Sequence, residues 1–282
     1  MPDDIQAMLG SIPWDRALPL LGRTAAIFAG LFVAVFIVER LSGADAGRYR
    51  RRDFIQDGVY FFFYQVPYTV LVLGPIHRAL RPHIPPLLPE AHPFLASLLF
   101  FAITDFSFYW IHRLQHSNRL LWAFHSVHHA EAELTFLSSY RLHLFDQVLS
   151  AANILAVALL VGAPEQVWMP YFVLYTIFEG LQHAQLPWRF GPFYRLVVSP
   201  AFHAYHHSRE RRHHDRNFSK ILSLWDHLFG TIEHGPARPA AFGLPDVPAR
   251  QSLYAQWSRP FLEIRTSMRA RPATPPSLGG AS

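Results

Sequence analysis

An apolar run from Phe94 to Ile111 ends directly in histidines, and this junction restricts the fold of the 282-residue chain more than any other stretch. Five histidines follow within eighteen residues, as HRLQH (His112, His116) and then HSVHH (His125, His128, His129). A second HxxHH stands at His203, His206 and His207. Spacings of three and four place side chains on one face of a helix, so each cluster can present its imidazoles as a group. The pattern predicts clusters that converge on a metal centre at a membrane surface.

The chain has 17 histidines and no cysteine, which removes disulfides, thiolate metal sites, iron–sulfur clusters and cysteine nucleophiles together. Any metal must then be held by nitrogen and oxygen. Nine histidines form the candidate set: His112, His116, His125, His128, His129, His183, His203, His206 and His207. Neutral imidazole serves iron, zinc, copper and nickel alike, so the clustering implies a transition metal without choosing one. A tetrahedral ion takes about four ligands and an octahedral one about six, so nine imply two ions. Packed imidazoles must satisfy both ring nitrogens, which leaves clusters little structural purpose. The solitary His77, His83 and His92 read instead as interfacial side chains.

Asp105 lies inside the apolar run, where a charge is costly and usually functional. It shares a stripe with Tyr109, His112 and His116, and either orients a ligand histidine or packs helices together. Glu179, one turn before His183, could serve likewise. Asp215 and Asp226 are weaker candidates.

The hydrophobic share of 51% and aromatic share of 15%, against a mean hydropathy of only +0.11, fit long apolar runs diluted by a water-facing part. The first run, Ala17 to Val38, can cross a bilayer; the acidic N-terminus ahead of it (Asp3, Asp4) does not suit a cleavable signal peptide. Arg48 and Arg50 to Arg52 follow, and the positive-inside bias puts them in the cytoplasm with the N-terminus outside. A second run, Phe54 to Ile76, is interrupted by Asp57, Gln65 and Pro67. It returns the chain to a proline-rich loop (Pro82, Pro85, Pro86, Pro89, Pro93). The run from Phe94 then brings His112 to the cytoplasmic side. Leu144 to Val161 and Val167 to Leu181, separated by Gly162, Ala163 and Pro164, read as a hairpin that returns His183 to that side. Beyond Pro187 no run spans, and Arg269 to Ser282 reads as disordered.

Net charge is +5, and Lys220 is the one basic residue that is not arginine. The arginines flank apolar runs, which suits contact with anionic lipid headgroups and not with nucleic acid. RERRHHD (Arg209 to Asp215) reads as a solvated charge run. The chain has no GxGxxG, P-loop or CxxCH, so it offers no visible nucleotide or covalent haem site. HExxH is also missing, and with it a zinc protease's general base.

These motifs together resemble the fatty acid hydroxylase/sterol desaturase superfamily of integral-membrane di-iron enzymes, across roughly residues 95 to 235. DFSFYWIHRLQH is similar to its first box and HSVHH to its second. RLHLFD is similar to its linker, LQHAQLP to its isolated histidine, and SPAFHAYHHSRERRHHDRNFSKILSLWDHLFGT to its third box and C-terminal signature. The resemblance implies two irons on the nine histidines, with Asp105, Tyr109 and Glu179 as supporting residues. It further implies a transmembrane stalk with a cytosolic cap, and O2-dependent hydroxylation or desaturation of an unactivated C–H bond in a lipid. Some relatives have another histidine where this chain has Glu179. His143 in the linker and His227 before the LFGT signature are possible supplements.

The expected fold is all-α: a polytopic membrane bundle of about four to five apolar helical segments, including the hairpin, with a cytosolic helical cap holding the di-metal site. Residues 1–93 would be transmembrane helices and loops, 94–235 the histidine-box catalytic domain, and 236–282 a peripheral segment and tail. Electrons would come from a separate reductase, ferredoxin or cytochrome b5-like donor. A multi-pass protein of a bacterial cytoplasmic membrane, with the site facing the cytoplasm, fits this reading. The competing classes are a zinc-dependent membrane hydrolase and a metal-binding transporter or sensor.

Overall fold

The computed structural model describes residues 14–45, 47–64, 72–87, 93–235, 238–248 and 251–269. Among these the chain is helical, with no β-strand and a single isolated bridge between Ser208 and Phe242. In chain order the α-helices are α1 (Trp14–Leu41), α2 (Arg52–Tyr64), α3 (Gly74–Leu80), α4 (Pro93–Ser117), α5 (Arg119–His129) and α6 (Leu144–Val161). They continue with α7 (Glu165–His183), α8 (Pro200–His206), α9 (Leu224–Leu228) and α10 (Leu253–Arg269).

Capping chemistry explains why the histidine boxes meet. Without a break, α4 would run straight on and carry HSVHH away from HRLQH. Asn118 provides the break: its backbone is extended, and its Oδ1 accepts from Leu120 N at 2.9 Å and Leu121 N at 3.2 Å, starting α5 as a separate helix folded back on α4. His143 caps α6 in the same way, its Nδ1 accepting from Phe145 N. Gly162, at φ +79°, takes the left-handed conformation that ends α6, and Pro164 opens α7. The expected hairpin is therefore present, and it carries His183 at the end of α7. Ser199 caps α8 through Phe202 N, with Pro200 at the first position.

Helices α4, α6 and α7 share a core in which Phe100, Phe108, Ile154, Trp168 and Tyr175 are buried, with the Phe108 and Tyr175 rings stacked at 4.8 Å. Each such side chain contributes about 1.5–3 kcal/mol on burial. One turn before His183, a Cβ at Gly180 would come within 2.6 Å of the Phe136 ring, so only glycine lets α7 lie this close to the 136–140 turn.

Among the described residues two helices, Phe94–Ser117 and Leu144–Val161, are long and apolar enough to cross a membrane. Only a third of the apolar window of the first is buried, and Leu98, Ile103, Trp110 and Leu114 face outward. That outward apolar strip is the surface a bilayer would cover. The first expected run lies within α1. The second is helical over Arg52–Tyr64 and again over Gly74–Leu80, while Gln65 and Pro67 lie outside the described residues, as do Pro89 and His92.

The structure corrects four readings. His77 is buried against Trp168, with ring centroids 5.2 Å apart, and is not an interfacial side chain. Arg48 and Arg51 are not free for headgroups: Arg48 pairs with buried Glu39 at 2.7 Å and Arg51 pairs with Glu133, because internal carboxylates reach them first. Within RERRHHD, His213 is buried and bonded to Ser208 Oγ at 2.8 Å while its arginines are exposed. Finally, Leu253–Arg269 is a helix packed on α5, not merely a peripheral segment. Of the tail read as disordered, Arg269 ends this helix, and residues from 270 onward lie outside the described residues.

Candidate metal centre

Four chain segments deliver the nine imidazoles to one place. Helix α4 supplies His112 and His116, and α5 supplies His125, His128 and His129. The end of α7 supplies His183, and α8 with its C-cap residue supplies His203, His206 and His207. They sort into two groups, His112, His116, His125, His129 and His206 in one, His128, His183, His203 and His207 in the other. Within each group the potential ligand atoms lie within 4.8 Å of one another. The division cuts across the sequence boxes, because consecutive side chains such as His128 and His129 leave a helix about 100° apart and enter different groups. All are buried except the half-buried His116.

Main-chain carbonyls hold several of the rings. His112 Nδ1 lies 2.7 Å from Phe218 O, His206 Nδ1 2.8 Å from Arg216 O, and His183 Nδ1 2.9 Å from Glu179 O. With the proton on Nδ1, each presents a bare Nε2 to the interior. The Nε2 atoms of His112 and His206 are buried with no partner, as are both nitrogens of His125. In the four-histidine group, His183 Nε2 sits 3.1–3.3 Å from the Nε2 atoms of His128, His203 and His207. Burial first, then neighbouring imidazoles, hold His125, His128, His129, His203, His206 and His207 well below the ordinary value of 6.5, so they stay neutral. Converging buried lone pairs without protons fit a cation, and an all-nitrogen donor set fits a transition metal.

None of the three supporting side chains bonds an imidazole, and Asp105 takes the second of its two expected roles by joining α4 to Trp225 of α9. Asp105 touches no imidazole. Its carboxylate accepts from Ile221 N and Leu222 N at 3.0 Å each and from Trp225 Nε1 at 2.9 Å, so it fastens the 218–225 loop to α4. The Tyr109 hydroxyl lies 2.9 Å from Thr231 Oγ1, on the same loop system. Glu179 acts on His183 through its carbonyl, while its carboxylate is engaged by Lys220 Nζ at 2.7 Å and the Tyr175 hydroxyl at 2.8 Å. The chain's one lysine thus occupies this carboxylate. His143 and His227 lie outside both groups, the first as a helix cap and the second bonded to Ser223 O.

Other residues carry more weight than their sequence signals suggest. Asp226 accepts from Phe218 N, Ser219 N and Thr231 Oγ1, and so fixes the carbonyl that holds His112. Asp146 approaches His125 Nδ1 at 4.0 Å and is held by Gln115. Asp215, in a left-handed conformation, stands 3.5 Å from His116 Nδ1, and the ring beside it holds its carboxyl below the usual range. The main-chain acceptors at 179, 216 and 218 have no side-chain signature at all.

The sequence profile described as fatty acid hydroxylase matches residues 97–231. An ornithine lipid hydroxylase of Rhizobium tropici is 33% identical over 162 residues, which is 56% of this chain and 48% of that protein. A methylsterol monooxygenase of Arabidopsis thaliana is 34% identical over 61% of this chain and 65% of its own length. A very-long-chain aldehyde decarbonylase of Oryza sativa subsp. indica is 31% identical over 72% of this chain and 75% of its own length. The chain therefore spans about half of the ornithine lipid hydroxylase but three quarters of the decarbonylase. No solved structure matches it.

Proposed function

Because this chain belongs to the fatty acid hydroxylase family, we propose that it is an O2-dependent, membrane-bound di-iron oxygenase that hydroxylates an unactivated C–H position of a lipid. The observation that carries the proposal is the sorting of nine imidazoles, eight buried and His116 half-buried, into groups of five and four. Two such groups have the donor number and type for two transition-metal ions.

His112, His116, His125, His129 and His206 would hold one iron, and His128, His183, His203 and His207 the other. Bound there, the irons supply O2 activation and the removal of hydrogen from carbon. The chain's own residues do the rest. The carbonyls of Glu179, Arg216 and Phe218 keep the proton on Nδ1 of His183, His206 and His112, so that Nε2 stays a donor to metal. Asp105 and Asp226 hold the 218–225 loop, which begins at the Phe218 carbonyl. Burial of the rings excludes water, which favours reaction with an apolar substrate.

A lipid substrate is supported by relatives named for an ornithine lipid, a methylsterol and a very-long-chain aldehyde. The outward strips of α4 and α6 support a membrane setting, and we assign several spans with the histidines at the cytoplasmic face of a bacterial membrane. Electrons come from a separate donor, for which a reductase, ferredoxin or cytochrome b5-like protein is suited. The test is metal analysis and turnover together. Purified protein should hold about two irons per chain and add one oxygen to a lipid only in air with a reductant. Stoichiometric zinc in iron-replete cells, with hydrolysis that needs no oxygen, would overturn the reading.

A further inference from the structure

The segment around α9 is laid on the outer face of α4. Trp225 packs on Phe106 with ring centroids 4.9 Å apart, and Phe229 packs on Trp110 at 4.9 Å. Phe106 and Trp110 are themselves exposed, and Trp110 belongs to the outward strip that a bilayer would cover. Asp105 ties the same segment down through Ile221 N, Leu222 N and Trp225 Nε1. A second segment is fastened to this one. Ser223 N donates to Leu196 O at 3.1 Å, Ser223 Oγ to Tyr194 O at 2.7 Å and Val198 N to Ile221 O at 2.9 Å. The turn Gly191–Arg195 is thereby joined to α9 beside α4.

The joined segments turn large apolar side chains outward. Leu228 is 63% exposed and Phe193 61%, and Leu196, Leu224 and Phe229 are exposed with them. Leu224 and Leu228, four apart, share one face of α9, while Trp225 and Phe229 take the neighbouring face on α4. Asp226 is the one acid within 188–197 and 221–230, and it is buried and bonded to Phe218 N, Ser219 N and Thr231 Oγ1. The exposed charges of these stretches are Arg189 and Arg195, whose long stems can keep their heads at lipid phosphates. An apolar patch rimmed by cations marks a membrane or partner surface. Its continuity with the outer face of α4 selects the membrane.

We propose that α9 and the turn at 191–195 lie in the interfacial layer of the bilayer, with Phe193, Leu196, Leu224 and Leu228 among the upper acyl carbons. The chain beyond Pro187, which has no spanning run, then touches the membrane at this surface. The contact bears on the metal centre. One loop runs from Phe218, whose carbonyl holds His112, through Asp226, which fixes Phe218, to Leu228 on the lipid side. The leaflet therefore braces the segment that aims His112. This placement rests on the membrane setting of α4 proposed above, and on neither iron nor oxygen.

The chain has no cysteine, so a single introduced cysteine takes a nitroxide label cleanly. Full-length Phe193→Cys, Leu228→Cys, Leu98→Cys and Asp246→Cys, labelled and placed in nanodiscs of phosphatidylcholine and phosphatidylglycerol, are compared by power saturation with oxygen and with a water-soluble nickel chelate. Leu98 on the strip of α4 is the lipid reference, and exposed Asp246 is the water reference. Labels at 193 and 228 should lose the chelate accessibility seen at 246 and gain the oxygen accessibility seen at 98. Chelate accessibility equal to that at 246, with 98 lipid-like, overturns this surface alone. A water-like 98 overturns the membrane setting of α4 and this surface with it. Low accessibility to both reagents at 193 and 228 would put protein, such as a second copy of the chain, over the patch and overturn the lipid assignment. Leu228→Asp gives an independent reading, because a carboxylate facing lipid is costly and one facing water is not. Its melting temperature in nanodiscs should fall below that of the native protein, and an unchanged melt counts against the placement.

Discussion

His112 Nδ1 lies 2.7 Å from the carbonyl oxygen of Phe218, a residue 106 positions later, and this contact joins the first histidine box to the C-terminal signature. Phe218 is itself fixed through its N–H, which donates to Asp226 at 2.9 Å, and Asp226 also accepts from Ser219 N at 2.8 Å and Thr231 Oγ1 at 2.6 Å. The chain from Asp226 through Phe218 to His112 sets which ring nitrogen faces the metal groups.

Asp226→Asn should therefore cost more than an average polar substitution. It converts an acceptor of three hydrogen bonds into a group that can accept fewer, at roughly 1–3 kcal/mol of stability. Metal affinity should fall about 10–100-fold, as for loss of other outer partners of ligand histidines. Metal titration of refolded or stripped protein measures the second effect separately from melting.

His206→Ala and His203→Ala fall in different groups and should differ in what they lose. Each should abolish turnover while the protein still inserts into membranes, and each should lower metal content by about one ion. Retention of both ions in either variant would remove that histidine from the centre.

Acidification should unload and destabilise the protein. The site imidazoles of α5 and α8 are held well below 6.5 by burial, whereas in the unfolded chain they protonate near about 6.5. Below that pH the unfolded state binds more protons, so stability is full above about 6.5 and falls as pH drops through it. Melting of metal-free protein between about pH 7.5 and 5 reads this, and added metal should oppose it at the upper end only.

Lys220 and Glu179 form a nearly buried ion pair at 2.7 Å beside His183. Lys220→Met leaves the carboxylate without its cation and should destabilise by roughly 3 kcal/mol. The double variant Lys220→Met/Glu179→Gln should recover most of that loss, because the buried charge goes with its partner. Chemical denaturation of the four proteins of the cycle decides it.

A reporter fused at the C-terminus should read cytoplasmic, on the same side as Arg48 to Arg52. A signal from the opposite compartment would reverse the orientation taken from the arginine bias.

Sequence spacing by itself determined eight of the nine candidate imidazoles, since histidines three and four apart share a helix face, while His183 stands alone in the chain; apolar length determined α4, which carries the first two. The hairpin was legible because Gly162 and Pro164 end one helix and open the next. The fold-back at Asn118 needed a side-chain cap to be seen. Only the tertiary structure decided which imidazole joins which group, because His128 and His129 are adjacent in the chain yet diverge around α5. It also decided what Asp105, Tyr109 and Glu179 do: a buried carboxylate bonds whichever donors the fold brings to it, and here those are loop amides, an indole and a lysine. The carbonyls that orient His112, His183 and His206 are beyond any reading of side chains, since every residue has one and only the folded backbone aims it.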